Sequence, residues 1–246
     1  MKNNFKIYIL TLVFNLSLSG CTNIGDMFKG TGPLTTEERT LAPFTSIELM
    51  NDVDIIYHYD SIRRVKVTAG QNLIEKITTN VENGNLVIKN KNKFNWVRSY
   101  HPEIKVEIWL PDLKYIEAFD ATGDIEFINT LKTEEFTLES FGSFGNYTLL
   151  LDTKRAYLKL NNGPANLNAK GKSENTYLYN AGFGINDTRE LKSNYVYIRS
   201  ISTNSSYVYS VNALDASIEA TGNIYYLGNP TDVIFTKKGS GEIIKL

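Results

Sequence analysis

The chain has 246 residues and a formal net charge of −1, so it carries no basic field of the kind nucleic acids need. Its single cysteine, Cys21, excludes a disulfide framework and any cysteine-based zinc site. Tyrosine is frequent at 15 residues against 2 tryptophans, and abundant Ser, Thr, Asn and Gly favour strands and turns over helices.

Residues 1–21 read as a processing signal. Lys2 and Lys6 form a positive start, and Ile7 to Leu18 an apolar stretch too short to span a bilayer. Leu18-Ser19-Gly20-Cys21 looks like a bacterial lipobox, with small residues before a cysteine whose thiol receives the lipid. Lipid chains contribute about 0.8 kcal/mol per buried CH₂, so several on Cys21 would anchor the chain firmly. Thr22 lacks the acidic character that marks inner-membrane retention by resemblance to known sorting rules, which favours the outer membrane. Residues 22–38, with Gly25, Gly30, Gly32 and Pro33, are expected to form a flexible tether.

Residues 39–246 are expected to form one β domain. From Phe44 to Leu110 the pattern alternates with period two, as in Ile47-Glu48-Leu49, Val53-Asp54-Ile55, Val65-Lys66-Val67 and Ile104-Lys105-Val106-Glu107-Ile108. Each reads as a half-buried strand. Asn83-Gly84 marks a tight turn. Asn72 to Thr79 is expected to hold one helical turn capped by Asn72, and Lys89 to Tyr100 an exposed loop around Phe94 and Trp96.

From Leu131 onward the chain repeats. Leu138, Leu158, Leu178, Ile198 and Ile218 are spaced twenty apart, with Asn146, Asn166 and Asn186 eight places after the first three. Small or polar residues follow each strand at Gly142, Asn162, Gly182, Ser202 and Gly222. Parallel strands need a connection of a dozen or more residues, and a twenty-residue coil supplies one while rising a single strand spacing. The expectation is a parallel β-solenoid with an interior aliphatic ladder. The Leu-x-x-Leu-x-Leu-x-x-Asn pattern of leucine-rich repeats is missing. Outward columns then read Thr137, Tyr157, Tyr177, Tyr197, Ser217 and Glu139, Lys159, Tyr179, Arg199, Glu219. Opposite charges meet across adjacent rungs in the second column.

Across these segments the chain resembles the head GIN domain family of adhesin-like bacterial proteins. The resemblance rests on Phe44-Thr45-Ser46-Ile47-Glu48-Leu49, Asp52-Val53-Asp54-Ile55, Val65-Lys66-Val67-Thr68-Ala69, and Ile77-Thr78-Thr79 through Asn83-Gly84-Asn85-Leu86-Val87-Ile88. Leu110-Pro111-Asp112-Leu113, Ala121-Thr122-Gly123-Asp124-Ile125, Ala220-Thr221-Gly222-Asn223-Ile224, Gly228-Asn229-Pro230 and Gly239-Ser240-Gly241 extend it, so that it covers about Arg39 to Leu246. It implies an all-β, right-handed parallel β-helix-like solenoid with rungs of about twenty residues, often on lipoproteins of the Bacteroidetes group. It brings no catalytic residues.

The residues themselves give little support to catalysis. Asp120, Asp124 and Glu126 come nearest to a carboxylate cluster of the kind a polysaccharide lyase or hydrolase needs. Turn chemistry accounts for the two aspartates equally well. His58 and His101 are the only histidines, and no calcium-loop or phosphate-cradling motif exists, so no metal or cofactor is expected. Tyr157, Tyr177, Tyr179 and Tyr197 are the binding candidates, as an aromatic surface suited to a glycan or a surface protein; stacking that merely stabilises the sheet is the alternative. The sequence therefore points to a lipid-anchored, non-enzymatic envelope protein that presents a rigid face for adhesion, or else to a structural component of the envelope.

Overall fold

A computed structural model describes residues 30–93 and 103–246. The leader with Cys21, the first part of the expected tether, the aromatic pair Phe94 and Trp96, and His101 lie outside the described residues. The rest is a parallel β-solenoid of about 7 turns with rungs spaced by about 20 residues.

The solenoid proper starts in the middle of the chain. β10 (Leu131–Phe141), β11 (Asn146–Leu160), β12 (Asn166–Asn180), β13 (Asn186–Ser200) and β14 (Ser206–Ile218) follow one another as parallel neighbours. Each long strand bends halfway and so serves both sheets of the coil. At the bends, the Thr133, Thr153 and Ser173 hydroxyls donate to the carbonyls of Glu135, Arg155 and Asn175 at 2.8–3.1 Å. A side chain thus takes up a carbonyl where the ladder turns away.

The earlier rungs are not sequential neighbours. β2 (Ser46–Met50) and β3 (Asp54–His58) form one rung, and β8 (Tyr115–Phe119) and β9 (Ile125–Phe127) lie directly on it, with Ile47 level with Ile116 and Ile55 level with Ile125. The intervening chain closes the end of the coil. β6 (Asn85–Asn90) and β7 (Lys105–Trp109) add a parallel layer, while β1 (Leu34–Arg39), β4 (Arg64–Gly70) and β5 (Ile77–Glu82) run antiparallel at the margins. β15 (Ile224–Leu227), β16 (Asp232–Lys237) and β17 (Ile243–Lys245) form the last rungs.

The expected interior ladder exists and is longer than the repeat. Leu86, Ile47, Ile116, Leu138, Leu158, Leu178 and Ile198 occupy one column, all buried. Burial of each contributes about 1.5–3 kcal/mol. Tyr57 anchors the opposite side: its ring meets Phe127 at 4.6 Å and its hydroxyl donates to the Leu110 carbonyl at 2.6 Å.

Four expectations need correction. Leu34 to Glu38 are not tether, because β1 pairs with β4 from Leu34↔Gly70 to Arg39↔Val65. Asn72 caps no helix. The 3₁₀ turn Ile74–Lys76 follows Leu73 without a side-chain cap, and the Asn72 amide instead donates to the Gly30 carbonyl.

The twenty-residue step also fails twice. Asn186 is level with Leu167, not Asn166, and a bulge between Asn168 and Lys170 restores the step. A one-residue slip turns a side chain to the other face, so Asn186 is buried instead of exposed. Between β13 and β14 the step shortens by two, because three residues between Thr188 and Lys192 loop out of β13 and one extra residue of β14 lies opposite Ser193–Tyr195. Ile198 therefore faces Ala216, and Ile218 lies over Ser200. The Asn83-Gly84 turn is as expected, with both residues at positive φ (53° and 78°) between the antiparallel β5 and β6.

Candidate functional site

Two columns on the outer face of one sheet carry the candidate site. In the first, Tyr157, Tyr177 and Tyr197 lie on adjacent rungs. Their rings stack nearly parallel, with centroids 4.7 and 4.9 Å apart and planes within 9°. The spacing is that of the strands themselves, so the stack follows from the repeat. In the second column Lys159, Tyr179 and Arg199 are level with those tyrosines, two residues further along each strand.

Stacking fixes what the tyrosines offer. A ring sandwiched between two others has both faces occupied, so Tyr177 shows solvent only its edge and hydroxyl. Tyr197 differs, because the next rung sets the small Asp215 over it and Ser217 over Arg199. An open cleft of about 340 Å³ lies there, lined by Lys159, Tyr177, Tyr179, Tyr197, Arg199 and Asp215. Tyr197, at 43 % exposure, has the one ring face of the stack that meets this cleft.

The charges around the cleft are held in place. The Lys159 ammonium donates to Glu139. Arg199 lies 5.8 Å from the centre of the Tyr179 ring and reaches Glu219 with two bonds of 3.0 and 3.1 Å. The hydrogen bond from Arg199, reinforced by Lys238 at 3.4 Å, holds the Glu219 carboxyl below the usual carboxylate range. Glu219 is not level with Arg199, as a strict repeat would require; its pairing is diagonal, beyond the end of β14.

One member of the column was not visible in the repeat. Tyr115 lies in the tyrosine column two rungs before Tyr157, separated from it by Thr137. Its hydroxyl sits 3.2 Å from Glu139 and 3.4 Å from Glu117, and burial together with these carboxylates pushes it well above the ordinary phenol range. The 22-residue step from Tyr115 to Thr137 hides it from a search at twenty.

The carboxylate candidates are dispersed in role. Asp124 accepts the backbone N–H and side-chain amide of Asn146 at 2.7 and 3.1 Å, which closes the turn entering β11. Asp120 takes a left-handed turn conformation with φ 46°. Glu126 lies on β9, level with Thr148. Among the described residues no group of three or more His, Cys, Asp or Glu side chains is placed to hold a metal ion.

The family model described as "Putative auto-transporter adhesin, head GIN domain" matches residues 43–230. The chain belongs to the head GIN domain family. Solved structures share its fold at low identity. A putative adhesin from Bacteroides fragilis is 20 % identical with a TM-score of 0.74, over 87 % of this chain and 97 % of its own. A putative adhesin from Parabacteroides distasonis is 18 % identical with a TM-score of 0.69, over 88 % and 98 %. A putative lipid binding protein from the same species is 20 % identical with a TM-score of 0.66, over 88 % and 98 %. Among curated proteins none matches this chain.

Proposed function

We propose that this head GIN domain protein is a non-enzymatic component of the cell envelope, attached to a membrane, outer in preference to inner, through lipid on Cys21. Its rigid solenoid holds a glycan, or a sugar-bearing surface protein, in the cleft beside Tyr197. The observation that supports this reading is the free face of Tyr197 flanked by Asp215 and Arg199. A sugar ring presents an apolar C–H face and a rim of hydroxyls. The tyrosine face suits the first; the carboxylate and guanidinium suit the second. A preformed sheet face spends little conformational entropy on binding. Glycan-array binding by the wild-type chain, lost in Tyr197→Ala, is the expected result; an array without signal above background would overturn the glycan reading.

A second reading, an assembly component of the envelope, is favoured by β16. Val233, Ile234 and Phe235 are 46–62 % exposed on this strand, which among the described strands pairs with β14 alone. Unprotected edge strands recruit other chains. A stoichiometric partner protein co-purifying with the wild-type chain, and lost with Ile234→Lys, would favour it.

A further inference from the structure

Between the two sheets the solenoid has two long edges, and their chemistry is opposite. Along the edge where the long strands bend stand Lys132, Glu134, Asp152, Lys154, Lys172 and Glu174. The middle of the other edge is built from the turns 141–146, 161–166, 181–186 and 201–206, bounded by Asp120 and Asp124 one rung earlier and by Glu219 one rung later. None of these turns contains a single Asp, Glu, Lys or Arg, in a chain that is 22 % charged. From its tips project Phe144 (61 % exposed), Phe183 (61 %) and Ile185 (49 %), with Pro164 exposed between them and Phe119 (44 %) next to Phe141 at the start.

Backbone geometry pushes these side chains outward. A Cβ on Gly184 would lie 1.8 Å from the Ala165 carbonyl oxygen, so the turns stack too closely for side chains between them. The one-residue slip at Asn186 has a matching effect. Ile185 takes the place level with Asn166, accepting from the Leu167 N–H and donating to the Asn166 side chain, and so stands exposed.

The described chain enters the fold on this same edge. Thr31 and Pro33 accept from the N–H groups of Asn72 and Gln71, beside the end of β4. Thr68 of β4 is level with Lys105 and thereby with Asp54. Asp54 accepts the Asp124 N–H, and Asp124 in turn accepts that of Asn146, the foot of the first charge-free turn. The stretch from Cys21 to Gly30 reaches at most about 30 Å when fully extended, so a lipid on Cys21 keeps this edge close to the bilayer.

We infer that the charge-free middle of this edge lies against the membrane, with the Phe144 and Phe183 rings inserted into the interfacial zone of the lipid. A convex row of tips fits a deformable bilayer better than a folded partner, which would need a matching groove. The four turns carry no charged side chain of their own, so seating Phe144 and Phe183 buries no ion of theirs, while the Asp120 carboxylate beside Gly142 and Asp124 at the foot of the first turn bound the patch and stay in water. The inference takes from the proposed function only the attachment at Cys21, and its test replaces that attachment.

The full chain carries Cys21→Ser and an N-terminal His-tag, and is held on phosphatidylcholine vesicles containing a nickel-chelating lipid. One environment-sensitive fluorophore is placed through Phe144→Cys, Phe183→Cys or, on the charged edge, Lys172→Cys. Emission at positions 144 and 183 is expected to move to shorter wavelength and be quenched by spin-labelled lipid, with position 172 unchanged. Equal behaviour at all three positions would overturn the inference. So would protection at 144 and 183 without vesicles together with a doubled mass in light scattering, since a second copy would then cover the edge. Failure of lipidation at Cys21 appears separately, as absent palmitate labelling, and leaves this readout intact.

Discussion

Tyr197 is level with Asp215 in the next rung, not with Ser217. The next rung offers no ring to continue the aromatic stack (a strict twenty-residue step would have set the equally small Ser217 there), and the cleft opens on its last ring. Asp215→Tyr is expected to continue the stack and fill the cleft. Binding to any glycan retained by the wild-type chain should weaken by about tenfold, the 1.4 kcal/mol scale of one good contact, with an unchanged melting temperature. Titration of both chains against the same glycan checks this.

Leu158 lies in the interior ladder between Leu138 and Leu178, with no exposed surface. Leu158→Ala should cost about 2–5 kcal/mol, because rigid rungs above and below leave the cavity unfilled. Urea denaturation measures the loss, and a change below 1 kcal/mol would show the ladder to be loosely packed.

Tyr57→Phe should cost about 1 kcal/mol by leaving the buried Leu110 carbonyl without the phenol donor. The ring contact with Phe127 persists in this variant, so the loss reports the hydrogen bond alone.

Glu219 supplies the pH dependence. Arg199 and Lys238 lower its carboxyl in the folded state. Its stabilising contribution is therefore complete above the ordinary carboxylate value of about 4.3 and is lost as pH falls through the lower folded value. The stability difference between wild type and Glu219→Gln should accordingly close in acid, as measured by thermal melts across pH 2–7.

How far the sequence discloses this molecule depends on what each slip does to side-chain direction. From Leu131 to Ser200 the stacking of equivalent residues writes its period into the chain, so the ladder, the tyrosine stack and the Glu139–Lys159 pair are legible. The two-residue slip beyond Ser200 is not, because it preserves the alternation of in and out. Ile218 stays buried, merely over Ser200 instead of Ile198. The one-residue slip reverses direction, yet Asn186 suits a turn as well as an interior, and nothing local betrays it. The lateral pairing of β2 with β8 joins residues 69 apart, as Ile47↔Ile116. Any of the short alternating strands would fit there by pattern alone. The tyrosines were legible as a surface, but that Tyr177 has both faces covered while a cleft meets the face of Tyr197 depends on ring orientation, which the sequence does not carry.

Hydroxyl-radical footprinting tests the central claim, that binding occurs at the cleft beside Tyr197. The intact chain is oxidised alone and with the glycan it retains from an array. Protection is predicted at Tyr177, Tyr179 and Tyr197, with none at Tyr207 and Tyr225, which stack at 5.0 Å elsewhere on the solenoid. Protection at Tyr207 and Tyr225, with Tyr197 oxidised as in the free chain, would contradict it.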